Sequence, residues 1–310
     1  MIVAAVRQWH RRQGFATVVS NDTEDMPQNE VVAMPRRNVL KRNVWVVVVM
    51  SLPLAAVVGA IDGIPLGIEL TNADIGSVGL VRIPDNVGLE PQVFTIEAWV
   101  IPKGEAYSPT GSPVGGRVVI KPMEGQVGNY LASYSLGINL DGTVTASVAH
   151  DLGTSGTYVS STATAPQSLR THIAISFDGV WLRVFVDGQL DTEELAGSST
   201  VDYSSEDVLI GAANLGSGYL RLFRGVVDDV RIWDYPRSAA EISSQMACTL
   251  DGTEPGLLAY YSFNTGDLGD DSGHGHDGVA EGLVELVVSN DACLPFFADF
   301  ETGDLSQWSD

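Results

Sequence analysis

The chain has 310 residues and a formal charge of −22, from 17 basic and 39 acidic side chains. Such a surface repels phosphate backbones and anionic lipid and attracts cations, so nucleic-acid binding is excluded as a function class. The 33 glycines, frequent Ser and Thr and few long helical patterns favour strands and turns, and the length allows one large β domain or two small ones.

The first sixty residues read apart from the rest, with seven basic and only four acidic groups. A basic stretch at 36–42 (RRNVLKR) precedes an apolar run from Val44 to Val58 that ends in Val58-Gly59-Ala60. These are the n-region, h-region and small-residue cleavage site of a secretory signal peptide over 34–60, with cleavage expected after Ala60. The run is short for a span of about 20 residues, and Pro53 interrupts it. An uncleaved anchor is the alternative, and the one way this chain would engage a membrane. Met34 offers an alternative start, which leaves 1–33 as an upstream extension foreign to the native chain, or as a long n-region. The chain is therefore expected to be secreted or held at the cell surface, with one domain over 61–295 and a tail over 296–310. That tail, FFADFETGDLSQWSD, carries Phe296, Phe297, Phe300 and Trp308 and resembles either a short C-terminal export motif or the opening of a second domain.

From Ile61 onward the pattern is a train of strands. In VFTIEAWVIP, Phe94, Ile96, Ala98 and Val100 alternate with Thr95, Glu97, Trp99 and Ile101, and Pro102 closes the strand. RVVIKP at 117–122 follows a loop rich in Pro and Gly. Tyr134 to Val148 reads as a hairpin turning at Asp141-Gly142; Asp178-Gly179 and Asp187-Gly188 separate three further strands, and each Asp-Gly predicts a type I′ turn with φ > 0 at both residues. Val208 to Gly211 adds another strand. Strands at this spacing with one convincing helix predict an all-β antiparallel sandwich.

That helix belongs to the stretch from Leu220 to Met246, a strand, a sharp turn at Tyr235-Pro236 and a short helix. Ser238 and Glu241 have the spacing of a capping box. In the strand, alternation puts Asp228, Val230 and Ile232 on one face and Val227, Asp229, Arg231 and Trp233 on the other. The first set is expected to face the core, where a carboxylate is costly unless a cation or N–H donors meet it.

Export would place both cysteines, Cys248 and Cys293, in oxidising surroundings, and a bridge between them is expected, with two free thiols as the alternative. It would close a loop of about 45 residues and contribute about 4 kcal/mol.

FTIEAWV, HIAISFDGVWLRVFVDGQL, VLIG, FRGVVDDVRIWDYPRSAAEI and GLLAYYSFNTGDLGDDSGHGHDG occur here in that order. Together, over 67–285, they resemble the laminin-G-like jelly rolls of the concanavalin A-like lectin/glucanase superfamily. The resemblance implies two antiparallel sheets packed face to face, often a calcium ion at the rim, and binding of glycans or extracellular proteins more often than catalysis. The first turn departs from the family, with Leu70-Thr71-Asn72 where members often carry Phe-Asp-Gly. Trp99 and Trp181 are the aromatic candidates for a glycan platform on the concave sheet, with core packing as the alternative for each.

Catalytic patterns are missing from the sequence. Retaining glycosidases of this superfamily align two carboxylates about 5–5.5 Å apart through Glu-x-Asp-x-x-Glu; here Glu193-Glu194 and Asp228-Asp229 are adjacent and point oppositely. No Gly-x-Ser-x-Gly elbow exists. His150 and His172 read as histidines satisfied within or beside strands. Gly273 to Gly278 matches Gly-x-Gly-x-x-Gly, but acidic residues precede it and a strand pattern follows, so a dinucleotide site is rejected. The loop from Asp267 to Asp277 holds four carboxylates and suits calcium, with a solvated acidic turn as the alternative. His274 and His276 lack the further ligands zinc requires. The resemblance places the Asp228 strand near the calcium-bearing rim, so Asp228 and Asp271 are the candidate calcium ligands; Asp228 accepting only backbone N–H groups is the alternative.

Overall fold

A computed structural model describes residues 66–72, 78–107, 113–123, 132–151, 153–214 and 219–289, together with the strand pair 17–18 and 32–33. The chain divides into a unit of residues 1–47 and a unit of 48–310. In the first, β1 (Thr17–Val18) pairs antiparallel with β2 (Val32–Ala33). The proposed signal segment and the tail lie outside the described residues.

The second unit opens with β3 (Leu66–Leu70), β4 (Gly79–Ile83) and β5 (Phe94–Pro102), then two short pairing strands, β6 (Ala106–Tyr107) and β7 (Pro113–Val114). β8 (Gly116–Pro122), β9 (Ala132–Ile138), β10 (Thr143–His150) and β11 (Ser155–Thr164) form a meander. β12 (Thr171–Phe177), β13 (Trp181–Val186) and β14 (Gln189–Leu195) form a second. Then come β15 (Val208–Ile210), the short pair β16 (Ala213–Asn214) and β17 (Tyr219–Leu220), β18 (Gly225–Trp233), helix α1 (Ala239–Gln245), β19 (Leu257–Tyr261), β20 (Val279–Gly282) and β21 (Val284–Val288).

Two antiparallel sheets result. One runs β11-β10-β9-β8-β15-β4-β20, the other β14-β13-β12-β5-β18-β3-β21, with β19 also pairing β18. β3 borders β18 at Gly225–Val227, and β19 borders it at Val230–Trp233. The expected jelly-roll sandwich is the architecture observed. Its core comes from the inward sets that alternation names: Phe94, Ile96, Ala98 and Val100 from β5, and Tyr134, Leu136 and Ile138 from β9.

Two local readings are corrected. Only Asp187-Gly188 has both residues at positive φ (47° and 72°); at the other two turns the glycine alone is left-handed. Asp141 there accepts hydrogen bonds from Thr143 N and Oγ1, and Asp178 from Val180 N and Trp181 N. These side-chain-closed turns replace the type I′ geometry.

The second correction concerns β18. Its register against β5 shifts between Asp228 and Arg231, a bulge with Asp229 in the left-handed region at φ 49°. The extra residue inverts the alternation, so Val227, Val230 and Ile232 all enter the core. Asp228 therefore lies on the opposite face, not in the core. The capping box is present as read: Ser238 Oγ accepts Glu241 N at 3.3 Å, and Glu241 Oε2 accepts Ser238 N at 2.8 Å.

Candidate ligand-binding site

The residues singled out by sequence separate into three places. α1 packs over the outer face of the β5/β12/β18 sheet, with Ile242 against Ala174 and Phe185. Beneath it lies a sealed set of charges. Glu97 is fully buried; its Oε1 accepts Arg237 Nη1 at 2.5 Å and Trp233 Nε1 at 2.9 Å. Arg231 donates to the carbonyls of Gln245 and Cys248, and Arg237 to that of Glu241 and to the Gln245 side chain. Arg231 thus satisfies carbonyls at and beyond the end of α1, where the helix leaves acceptors without an N–H of its own, while Arg237 clamps the first turn and Gln245. His172 Nε2 lies 3.5 Å from Glu97 Oε2. Burial, and then the charges of Arg231, Arg170 and Arg237, hold the His172 pKa well below its ordinary value, so the ring is neutral at pH 7. A Glu–His pair this enclosed has no route to substrate and serves the fold.

Trp99 belongs to the same set. Its indole N–H donates to Met246 O at 2.6 Å, Arg170 lies 3.8 Å from the ring centroid, and His172 meets it edge-on. At 8 % exposure it packs the sheet against the end of α1 and presents no platform. Trp181 is half-buried at the start of β13, paired with Leu195 of the edge strand, and offers only part of its ring. The two tryptophans do not form one surface.

Asp228 and Asp271 do not share partners either. Asp228 Oδ2 accepts Ser289 Oγ at 2.6 Å and Arg170 Nη2 at 3.3 Å, while Oδ1 accepts Asp229 N. Asp271 Oδ2 accepts Ser262 N and Oγ. In the same loop Asp270 accepts Tyr260 N, Ser272 N and His276 N, and Asp277 accepts Asp270 N. These carboxylates are engaged by protein N–H and hydroxyl donors that tie the loop to β19 and across itself. Among the described residues no group of three or more His, Cys, Asp or Glu side chains is placed to hold a metal, so the donor set does not fit a carboxylate calcium cage. The loop leads into β20, a strand, in keeping with the rejected dinucleotide reading. Cys248 is half-buried after α1; Cys293, and with it the expected bridge, lies outside the described residues. His150 is buried and satisfied, with Nδ1 2.7 Å from Thr200 O and Nε2 3.0 Å from Thr157 Oγ1.

What sequence reading did not find is a cleft of about 140 Å³ between loops at one end of the sandwich, bounded by 102–105, 114–116, 138–142, 164–167 and 223–224. Glycine makes it possible: a Cβ on Gly116 would come 2.8 Å from Phe223 Cα, too close for any other residue without backbone movement. Its polar side chains are Glu105, Asn139, Asp141, Thr164, Gln167 and Arg224. Asn139 Nδ2 donates to Thr143 Oγ1 and Ser160 Oγ, which fixes the amide at the cleft edge. Hydrogen bonds from Thr143 hold the Asp141 pKa below its ordinary value, so this carboxylate is ionised and acceptor-only at neutral pH. A general acid for glycoside cleavage needs the opposite shift. The cleft is equipped to hold hydroxyl and amide groups.

No curated protein matches the chain. Among solved structures, it is similar to a candidate carbohydrate-binding protein from Bacteroides ovatus at 17 % identity and TM-score 0.57, with 73 % of this chain and 60 % of that one covered. It is also similar to the heptameric SAP-like pentraxin of Limulus polyphemus at 15 % identity and TM-score 0.53, over 76 % of this chain and 100 % of that one. Both likenesses are of fold, and the chain spans under two thirds of the length of the Bacteroides protein. The profile of a laminin-G-type family described as the concanavalin A-like lectin/glucanases superfamily matches residues 76–243, more than half of the chain. The chain therefore belongs to the concanavalin A-like lectin/glucanases superfamily, as a laminin-G-like domain.

Proposed function

We propose that this domain is a non-catalytic binding module whose ligand is an extracellular glycan, held at the loop cleft by Asn139, Asp141, Gln167 and Arg224. One observation carries the reading: the cleft gathers donors and acceptors from five loops while its Asp141 is fixed in the ionised, accepting state. Binding sites on sandwiches are built by such loops over a rigid scaffold. An extracellular glycan fits the export expected from residues 34–60. A protein ligand is the competing reading, favoured by Leu140, which stands 54 % exposed at the cleft edge.

A glycan array probed with the full exported chain tests this. Binding to a defined set of saccharides, lost in Asn139→Ala and Gln167→Ala with no change in melting temperature, supports the proposal. Saccharide binding that survives both substitutions would overturn the assignment to this cleft. An array with no binder would turn attention to Leu140 and a protein partner.

A further inference from the structure

The loops around the cleft are joined to one another as a ring. Ala165 N donates to Gly142 O at 2.8 Å, Ser168 N to Pro102 O at 2.7 Å and Lys103 N to Arg224 O at 2.9 Å. The ring closes where Phe223 lies against Gly116, which pairs with Ile138 across β8 and β9. Among the described residues the depression therefore has a rim on every side. A polymer lying lengthwise needs a groove open at two ends, whereas a closed ring admits a chain end. The size agrees: the cleft measures about 140 Å³, and a cavity of about 150 Å³ accommodates benzene, one six-membered ring.

The side chains that reach this space are of two kinds. Leu140 and Pro166 are exposed and Val114 is half-buried, above Ile138 and Phe223 of the core. The polar side chains divide by role. Asn139 gives its amide N–H groups to Thr143 and Ser160, which leaves its Oδ1 to accept, and ionised Asp141 only accepts. Arg224 only donates. Its guanidinium lies along Gly104, with Nη1 2.9 Å from where a Cβ would stand, and it meets no carboxylate among the described residues.

We propose that the cleft takes the terminal unit of a glycan and that this unit is an N-acetylated hexosamine. An acetamido group has an N–H that donates, a carbonyl that accepts and a methyl to shield from water. Asn139 and Asp141 suit the first, Arg224 and Gln167 the second, and Leu140, Pro166 and Val114 the third. A plain hexose has no methyl for the apolar side, and an acidic sugar would meet the like charges of Glu105 and Asp141. The inference rests on the binding-module reading and names the ligand class of the same cleft.

Calorimetric titration of the full chain with the methyl glycosides of N-acetylglucosamine, N-acetylgalactosamine, glucose and galactose tests it. One N-acetylated glycoside is expected to bind at least about tenfold more tightly than its parent hexose, the worth of one buried methyl and one hydrogen bond. A smaller preference in the wild-type chain would overturn the proposal without recourse to any variant. Chitotriose and a trisaccharide ending in N-acetylgalactosamine probe chain length. The one with the preferred end is expected to match the single glycoside within about fivefold, and a larger gain would overturn end-on binding. Arg224→Ala is expected to lose about tenfold in affinity for the N-acetylated glycoside at an unchanged melting temperature, and an unaltered affinity would overturn the assignment. A chain that binds other saccharides on the array but neither N-acetylated glycoside would end this inference and leave the binding-module reading standing. Failure to bind any saccharide would end both.

Discussion

Glu97→Gln tests whether the charges under α1 hold the fold together. Among the described residues, three carboxylates, Glu97, Asp228 and Asp229, lie against three guanidiniums, Arg170, Arg231 and Arg237, and His172 beside them is neutral. Glutamine keeps an acceptor for Trp233 Nε1 but removes the charge that Arg237 meets at 2.5 Å and Arg231 at 3.8 Å. Both guanidinium side chains are at most 1 % exposed, so water cannot replace the lost partner. Breaking a buried pair from one side costs about 3–5 kcal/mol. For a domain of this size each kcal/mol lowers the melting temperature by about 2–4 °C, so a fall of about 10 °C is expected. Calorimetry of the purified chain reads it directly. The double variant Glu97→Met with Arg237→Met should fall less than Glu97→Gln, because it removes both stranded charges of that pair. A Glu97→Gln shift below about 2 °C would refute the reasoning and reduce Glu97 to a hydrogen-bond acceptor.

Ser238→Ala should cost about 1 kcal/mol in urea unfolding by opening the capping box; no change would mean that Ile242 alone seats α1. His172 sets a pH response: its folded pKa lies below the ordinary 6.5, so as pH falls below about 6.5 the unfolded chain binds the proton first. Stability from this group is thus full above that value and drains at up to about 1.4 kcal/mol per pH unit beneath it. His172→Gln should flatten the slope between pH 6.5 and 5, and an unaltered slope would assign it to other groups. Because the carboxylates of the 267–277 loop already accept N–H and hydroxyl groups of β19 and of the loop itself, melts in EDTA and in millimolar calcium are expected to coincide. A calcium-dependent rise of several degrees that Asp271→Asn abolishes would restore the metal site. N-terminal sequencing of exported material is expected to begin at Ile61; a chain still carrying 44–58 would favour the anchor.

The sandwich was legible because its signal is local. Inward residues of β5, β9, β12 and β13 recur every second position, and that periodicity survives any detail of packing. β18 shows where the signal stops. Nothing in VVDDVRIW announces a bulge, since Asp tolerates the left-handed backbone without demanding it. One inserted residue then moved Asp228 from the core to the opposite face, and the reasoning about its partners moved with it. The Asp-Gly turns teach the same point: Asp141 and Asp178 each close their turn with their own side chain, a choice the following residues decide.

The candidate site was less legible because its parts are far apart in sequence. Glu97 did carry a signal, a single charge in FTIEAWV with no exposed face to occupy, and Arg231 and Arg237 were its available partners on β18 and before α1. The loop cleft carried none, since residues 102 to 224 reach one end of the molecule only after both meanders have formed. The distribution of charge connects the two findings. Most buried or half-buried carboxylates of this fold are met by its own donors, as Glu97, Asp228, Asp270 and Asp271 are. Arg117 and the cleft side chain of Arg224 have no carboxylate partner among the described residues. Of the two, Arg117 is buried, while Arg224 lines the loop cleft, where a ligand can reach it. Function in this domain should accordingly respond to substitutions at the cleft, while substitutions under α1 change its stability.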